Sequence, residues 1–141
     1  MDYNFVRGQF TEAELETAII GLFQEQDYVY VTGDTIHRGF EETLLKDDMQ
    51  VYLSTRYPDL TEAETETVIG RLENIPSAPL YQGNRETFLL VNEGFDLTRD
   101  DPGKLALHID YIDLAEPSMN IFKVVNQFSI QGERLRRPQD V

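Results

Sequence analysis

The spacing of apolar residues changes near residue 80, and this change constrains the fold more than any other feature of the chain. Before it, apolar residues recur at intervals of three and four, as on one face of a helix. After it they alternate with polar residues, as in a half-buried strand. Helices followed by strands are typical of the α+β class, so the sequence predicts N-terminal helices packed on a mixed sheet with an antiparallel hairpin.

The first predicted helix covers residues 11–26. Thr11 and Glu14 have the spacing of a capping box, in which the hydroxyl and the carboxylate each accept a hydrogen bond from a backbone N–H at the helix start. Glu12 and Glu16 lie one turn apart at the edge of an apolar stripe, and acidic residues in a first turn also complement the helix dipole. The stripe consists of Leu15, Ala18, Ile19, Leu22 and Phe23.

A second copy of this helix start occurs fifty residues later. The stretch 61–72 closely echoes 11–22 and again places a threonine and a glutamate three residues apart, at Thr61 and Glu64. One repeated dodecamer is too little for a solenoid, so we interpret it as the same capping pattern used twice. A further helix is predicted over residues 41–57, ending at a proline.

The strands are expected mostly in the second half. Residues 28–31 and 87–91 are short β-prone runs. Leu105, Leu107, Ile109 and Tyr111 alternate with smaller or polar residues, and a second alternating run ends at residue 130. We predict that residues 104–130 form an antiparallel hairpin packed on the 11–26 helix.

The composition narrows the class of protein. The 141 residues suit one domain with a sizeable core, and the chain has no cysteine for a disulfide framework or a thiolate metal site. The N-terminus lacks a signal pattern and no stretch is long and apolar enough for a membrane span, so we predict a cytoplasmic protein. The net charge of −14 repels nucleic acid at long range.

Several motifs were weighed as sites. His108, Asp110 and Asp113 are residues of the metal-ligand type, but two of them on one strand face fall short of a metal shell, which favours a solvent-facing strand. The acidic stretch from Asp96 lacks a glutamate at the twelfth position of a calcium loop, where Leu107 stands. Phosphate-loop and nucleophile-elbow patterns are absent from the sequence.

Five segments in order along nearly the whole chain resemble the N-terminal part of the restriction (R) subunit of type I restriction–modification enzymes. They are residues 12–28, 88–95, 108–113, 120–128 and 136–138, which include Glu-Ala-Glu-Leu-Glu-Thr-Ala-Ile, Val-Val-Asn-Gln-Phe and Arg-Arg-Pro. Each segment is modest alone, and together they are fairly specific. The resemblance implies that residues 1–141 form the N-terminal part of a restriction-endonuclease-like domain of the PD-(D/E)xK type.

The resemblance also implies a site. In that family a helical Glu, an Asp at a strand start and a Glu-x-Lys on the next strand bind Mg²⁺ and activate water. Asp140 matches the Asp and Glu16 best matches the helical acid, so the two carboxyl groups are expected to converge. Gln139 stands between the Arg-Arg-Pro triplet and Asp140, where the family has the Asp directly after the triplet, and a shift of one residue reverses the strand face.

For the full-length parent, the resemblance implies ATP-driven translocation coupled to endonucleolytic cleavage of double-stranded DNA. The expected partners are the specificity and modification subunits. The Glu-x-Lys pair and the motor domains are expected beyond Val141, so this fragment alone is expected to be inactive. One alternative is an acidic DNA mimic or protein-interaction domain without catalytic activity, since a charge of −14 suits a basic groove on a partner. The other alternative is a scaffold domain without a functional site.

Overall fold

A computed structural model describes residues 11–131 of the chain, with the α+β composition that the sequence predicts. The contacts divide the chain into two units. The described part of the terminal unit comprises residues 11–41 and 122–131, and the central unit is Glu42–Ile121. The prediction that residues 1–141 form one domain stays a prediction.

Helix α1 of the terminal unit spans Glu12–Glu25 and begins as the capping box predicts. The Thr11 hydroxyl accepts a hydrogen bond from the Glu14 N–H at 3.2 Å, and the Glu14 carboxylate accepts one from the Thr11 N–H at 2.9 Å. The helix ends at Gln26, and Asp27 then adopts a left-handed conformation with φ of 65°. This turn directs the chain into the first strand.

The two strands of the terminal unit are far apart in sequence and run parallel. Strand β1 (Val29–Thr32) confirms the predicted run and pairs with β4 (Lys123–Asn126), with Thr32 opposite Asn126. Helix α1 packs on this pair through aromatic contacts. The Tyr28 ring lies 5.0 Å from that of Phe23 and 5.2 Å from that of Phe122, measured between centroids.

Three helices build most of the central unit. They are α2 (Lys46–Arg56), α3 (Glu62–Glu73) and α4 (Leu80–Glu93). The first two confirm the predicted helices, although α2 begins later than expected. The prediction of a strand over residues 87–91 is wrong, because these residues form the last turns of α4. A run of four or five apolar residues has no period of its own, and here helical packing through buried Leu90 decides the outcome.

The antiparallel hairpin exists, but other residues form it. Strand β2 (Phe95–Leu97) pairs with β3 (Leu107–Ile109), with Phe95 opposite Ile109. The hairpin predicted over 104–130 is therefore wrong in its partners, since β3 belongs to the central unit and β4 to the terminal unit. The structure contains both parallel and antiparallel pairing, in two separate two-stranded sheets.

The core of the central unit forms where α2 and α3 meet the hairpin. Leu53, Val68 and Ile109 are fully buried at its centre. At the edge of this core, two tyrosine hydroxyls donate hydrogen bonds to backbone carbonyl groups. Tyr52 donates to the Asp110 carbonyl at 2.8 Å, and Tyr111 donates to the Val68 carbonyl at 2.5 Å. Burial raises the pKa of both tyrosines to about 12.

Among the described helices, none has the length and apolar character needed to cross a membrane.

Candidate functional site

Glu16 is the helical acid that the sequence predicts as a site residue. It lies on α1, and its side chain is half-buried. Its Oε1 accepts a hydrogen bond from the Gln127 side-chain amide, with 3.4 Å between nitrogen and oxygen. Gln127 directly follows β4, so the structure brings together a helix residue and a strand end that are 111 residues apart. The carboxylate therefore has a defined neighbour at the carboxyl end of the parallel pair.

The backbone at this end of the sheet is tightly constrained. Gln127 has φ of 53°, a left-handed conformation that is uncommon for a residue with a side chain and that occurs often at functional sites. Gly33, the residue after β1, is buried against it. A methyl group at position 33 would overlap the Gln127 carbonyl, so the close approach of the two strand ends requires glycine there.

A cavity of about 300 Å³ opens beside these two residues. Its wall carries a guanidinium, a carboxylate and a carboxamide, from Arg38, Asp34 and Gln127. The Arg38 guanidinium lies 3.8 Å from the Phe128 ring centroid and donates hydrogen bonds to the carbonyls of Gly39 and Ser129. Ligands of open parallel sheets bind outside the carboxyl ends of the strands, and this cavity lies at such an end.

The second predicted site residue, Asp140, lies outside the described residues, so the expected convergence with Glu16 stays a prediction. Within residues 11–131 the structure brings no three histidine or acidic side chains into a group able to hold a metal ion. Of the two predicted metal-binding residues, only Glu16 lies within the described part of the chain.

The motif of His108, Asp110 and Asp113 is divided between two structural roles. The His108 Nδ1 lies 2.7 Å from Asp96 Oδ1, and its Nε2 lies 2.9 Å from the Glu93 carbonyl and 3.3 Å from an Asp110 oxygen. The hydrogen bond with Asp96 raises the pKa of His108, helped by the Asp110 charge. With acceptors at both ring nitrogens, the imidazolium is stabilised and neither nitrogen is offered to a metal.

Asp113 is buried away from that cluster. It accepts hydrogen bonds from the Ala115 and Glu116 N–H groups and from Arg56, whose Nε lies 2.9 Å away. These hydrogen bonds lower the pKa of Asp113, and the one donated by the Glu116 N–H has the largest effect. The residue shapes the loop after β3 and, unlike His108, does not lie on the solvent-facing side of a strand.

Sequence reasoning missed Gln127 and Arg99. Arg99 is a buried cation from the loop after β2, and its Nε lies 3.1 Å from Oε2 of Glu64 at the start of α3. No local pattern marks either residue, because each acts on a side chain of a distant element. The capping box marks Glu64 in the sequence, but no nearby residue indicates that Arg99 is its cationic partner.

The comparisons with known proteins give one match. The sequence matches the family described as type I restriction enzyme R protein N terminus over residues 9–140. No curated protein and no solved structure shows significant similarity to the chain.

Proposed function

This chain belongs to the family of type I restriction enzyme R protein N termini, and we propose that it supplies metal-binding carboxylates for DNA cleavage. The reaction is Mg²⁺-dependent hydrolysis of the phosphodiester backbone, in a domain of the PD-(D/E)xK type. Glu16 and Asp140 are the metal-binding residues. In the full-length R protein, cleavage is coupled to ATP-driven translocation along double-stranded DNA.

The position of Glu16 carries this proposal. An outward-facing glutamate near the start of a helix needs no partner, but Glu16 is half-buried and accepts a hydrogen bond from Gln127. That contact places a donor beside the carboxylate, as is common for groups around metal ligands. It engages one of two carboxylate oxygens, each of which has two lone pairs, so the group retains acceptor capacity.

The residue chemistry fits a magnesium ion. Mg²⁺ prefers carboxylate oxygen and is commonly held by one or two carboxylates plus substrate phosphates and water. Glu16 is such a ligand, and Asp140 would be the second. When bound, Mg²⁺ supplies a more acidic water and stabilises negative charge on the phosphate. No Glu-x-Lys occurs in the 141 residues, so residues 1–141 alone should leave supercoiled plasmid uncut.

The expected partners follow from the same function. Arg134, Arg136 and Arg137 precede Asp140 in a chain with only 12 basic residues, and arginines are the usual contacts to DNA phosphates. Local attraction of this kind would offset the repulsion between duplex DNA and a net charge of −14. The specificity and modification subunits would direct the R protein to its DNA, and the cytoplasm is the compartment we propose.

The decisive experiment uses the full-length R protein assembled with its partner subunits, ATP and Mg²⁺. Glu16→Gln and Asp140→Asn should each reduce plasmid cleavage by about 100-fold or more. Even residues that only hydrogen-bond to metal ligands contribute about 10–100-fold to metal affinity or activity. ATP hydrolysis should be unchanged. Glu12→Gln is the matched control, one turn earlier on α1 and exposed. Normal cleavage by Glu16→Gln, or an equal loss in Glu12→Gln, would reject the assignment.

A further inference from the structure

Gln127 has a backbone conformation that its residue type does not favour. Within residues 11–131, two residues other than glycine have a positive φ, Asp27 at 65° and Gln127 at 53°. Aspartate, asparagine and glycine enter this left-handed region readily, and glutamine does not. The structure thus places a long side chain where the backbone favours a shorter one. Strain of this kind occurs often at functional sites.

Contacts on both sides of Gln127 hold this conformation. Asn126 is the last residue of β4, and its neighbour Gln127 lies so close to Gly33 that a methyl group on Gly33 would overlap the Gln127 carbonyl. On the other side, the Arg38 guanidinium lies 3.8 Å from the Phe128 ring centroid. A relaxed backbone at Gln127 would require these contacts to move.

The side chain of Gln127 extends from this turn to α1. Its Nε2 lies 3.4 Å from Oε1 of Glu16, which is near the upper limit for a hydrogen bond. Asparagine is one methylene shorter, so with the backbone held as it is, its amide would not reach the carboxylate. Hydrogen bonds to catalytic groups are often long before the ligand binds and shorten in the complex.

A neutral amide is suited to a carboxylate that binds a metal ion. It offers an N–H donor but carries no charge. A lysine or arginine at position 127 would form an ion pair with Glu16 and repel Mg²⁺, and an acidic residue would repel Glu16. The amide of Gln127 therefore supports the Glu16 carboxylate and leaves its negative charge available.

We infer that Gln127 is a positioning residue, whose amide holds the Glu16 carboxylate in the orientation that binds Mg²⁺. The strained turn after β4 directs this amide towards α1. Gln127 acts through Glu16 and touches neither the metal ion nor the DNA. This inference rests on the proposed metal-binding role of Glu16 and identifies the residue that fixes its side chain.

Metal binding by the full-length R protein, without ATP or DNA, tests the inference. Mn²⁺ is the probe, because it shares the preference of Mg²⁺ for carboxylate oxygen and its binding can be followed by electron paramagnetic resonance. Gln127→Met keeps the length of the side chain without the donor, and Gln127→Gly relieves the backbone and also removes the amide. Both variants should bind Mn²⁺ about ten-fold more weakly.

The matched control is Gln131→Met, the same substitution at an exposed position four residues later, which should bind Mn²⁺ normally. A double variant adds a second requirement. In the Glu16→Gln protein, Gln127→Met should cause no further loss of Mn²⁺ binding, because its effect passes through Glu16.

Plasmid cleavage by the enzyme assembled with its partner subunits and ATP gives a second measurement. Both Gln127 variants should need about ten-fold more Mg²⁺ for half-maximal cleavage, and saturating Mg²⁺ should restore most of the rate. The Mg²⁺ dependence of ATP hydrolysis should be unchanged. A merely structural defect would lower cleavage at every Mg²⁺ concentration and would be relieved in Gln127→Gly.

The outcomes separate this inference from the proposed function. Normal Mn²⁺ binding and cleavage by either Gln127 variant, with both lost in Glu16→Gln, would overturn the positioning role and leave Glu16 as a metal ligand. Normal binding and cleavage by Glu16→Gln would reject the metal ligand and the positioning role together. An equal loss in Gln131→Met, or a further loss in the double variant, would also overturn the inference.

Discussion

Arg99 holds Glu64 with a side-chain nitrogen 3.2 and 3.1 Å from the two carboxylate oxygens, and only 5% of the Arg99 side chain is exposed. The Asp100 N–H donates to the same carboxylate at 3.1 Å. These contacts join the start of α3 to the loop after β2. They also lower the pKa of Glu64, the Arg99 hydrogen bond most strongly.

Arg99→Leu should therefore leave a buried carboxylate without its cation and lower the melting temperature by roughly 10 °C or more. Lys104 is the matched control, because both Arg99 and Lys104 contact Asp59, at 3.2 and 3.0 Å, but the Lys104 side chain is 41% exposed. Lys104→Ala should change the melting temperature by about 1–2 °C, as is usual for exposed ion pairs. Equal effects in thermal denaturation monitored by circular dichroism would contradict the importance of the Arg99–Glu64 pair.

Ile109→Asp should unfold the central unit. The Ile109 side chain is fully buried, and an unpaired charge there should cost roughly 4 kcal/mol or more in the free energy of unfolding. Ile112→Asp introduces the same charge three residues later, where the native side chain is 43% exposed, and should cost about 1 kcal/mol or less. Urea denaturation of both variants measures the difference, and similar midpoints would show that this core is wrongly placed.

The stability of the central unit should fall slightly as the pH rises through neutrality. The folded-state pKa of His108 is raised above its ordinary value of 6.5, chiefly by the hydrogen bond with Asp96. Its stabilising contribution is complete below the unfolded pKa and is lost as the pH rises through the folded pKa. The loss should stay below about 1 kcal/mol, because the pair is exposed.

Proton NMR titration of the His108 ring checks this directly. Asp96→Asn should lower the pKa of His108 towards its ordinary value, and it should flatten the pH dependence of unfolding above the ordinary histidine pKa. A His108 pKa that is the same in both proteins would exclude the Asp96 hydrogen bond as the cause.

Two glycine-to-alanine substitutions should have opposite effects on the terminal unit. In Gly33→Ala the new methyl group overlaps the Gln127 carbonyl, which should cost about 2 kcal/mol or more. In Gly21→Ala the methyl group has no neighbour within 4 Å, and the helix should gain about 1 kcal/mol. Chemical denaturation gives both signs, and a neutral Gly33→Ala would show that the two strand ends are further apart.

The features of this fold that could be predicted are those that depend on residues close together in the sequence. The capping boxes at Thr11 and Thr61 begin two helices as predicted, because each box joins residues only three positions apart. The alternation around Ile109 predicted correctly which side chains of β3 face the core. Membership of the restriction R-protein family was also readable, since its matching segments lie in order along the chain.

Tertiary structure alone decided which elements meet. The sequence indicates strands near Ile109 and Val124 but not their partners, since pairing depends on the free energy of burial against distant elements. Burial of Leu90 made residues 87–91 helical, and the left-handed turn at Gln127 brought its amide to Glu16 from 111 residues away. Ile69 of α3 is buried while the corresponding Ile19 of α1 is 43% exposed, because periodicity defines an apolar face but not what covers it.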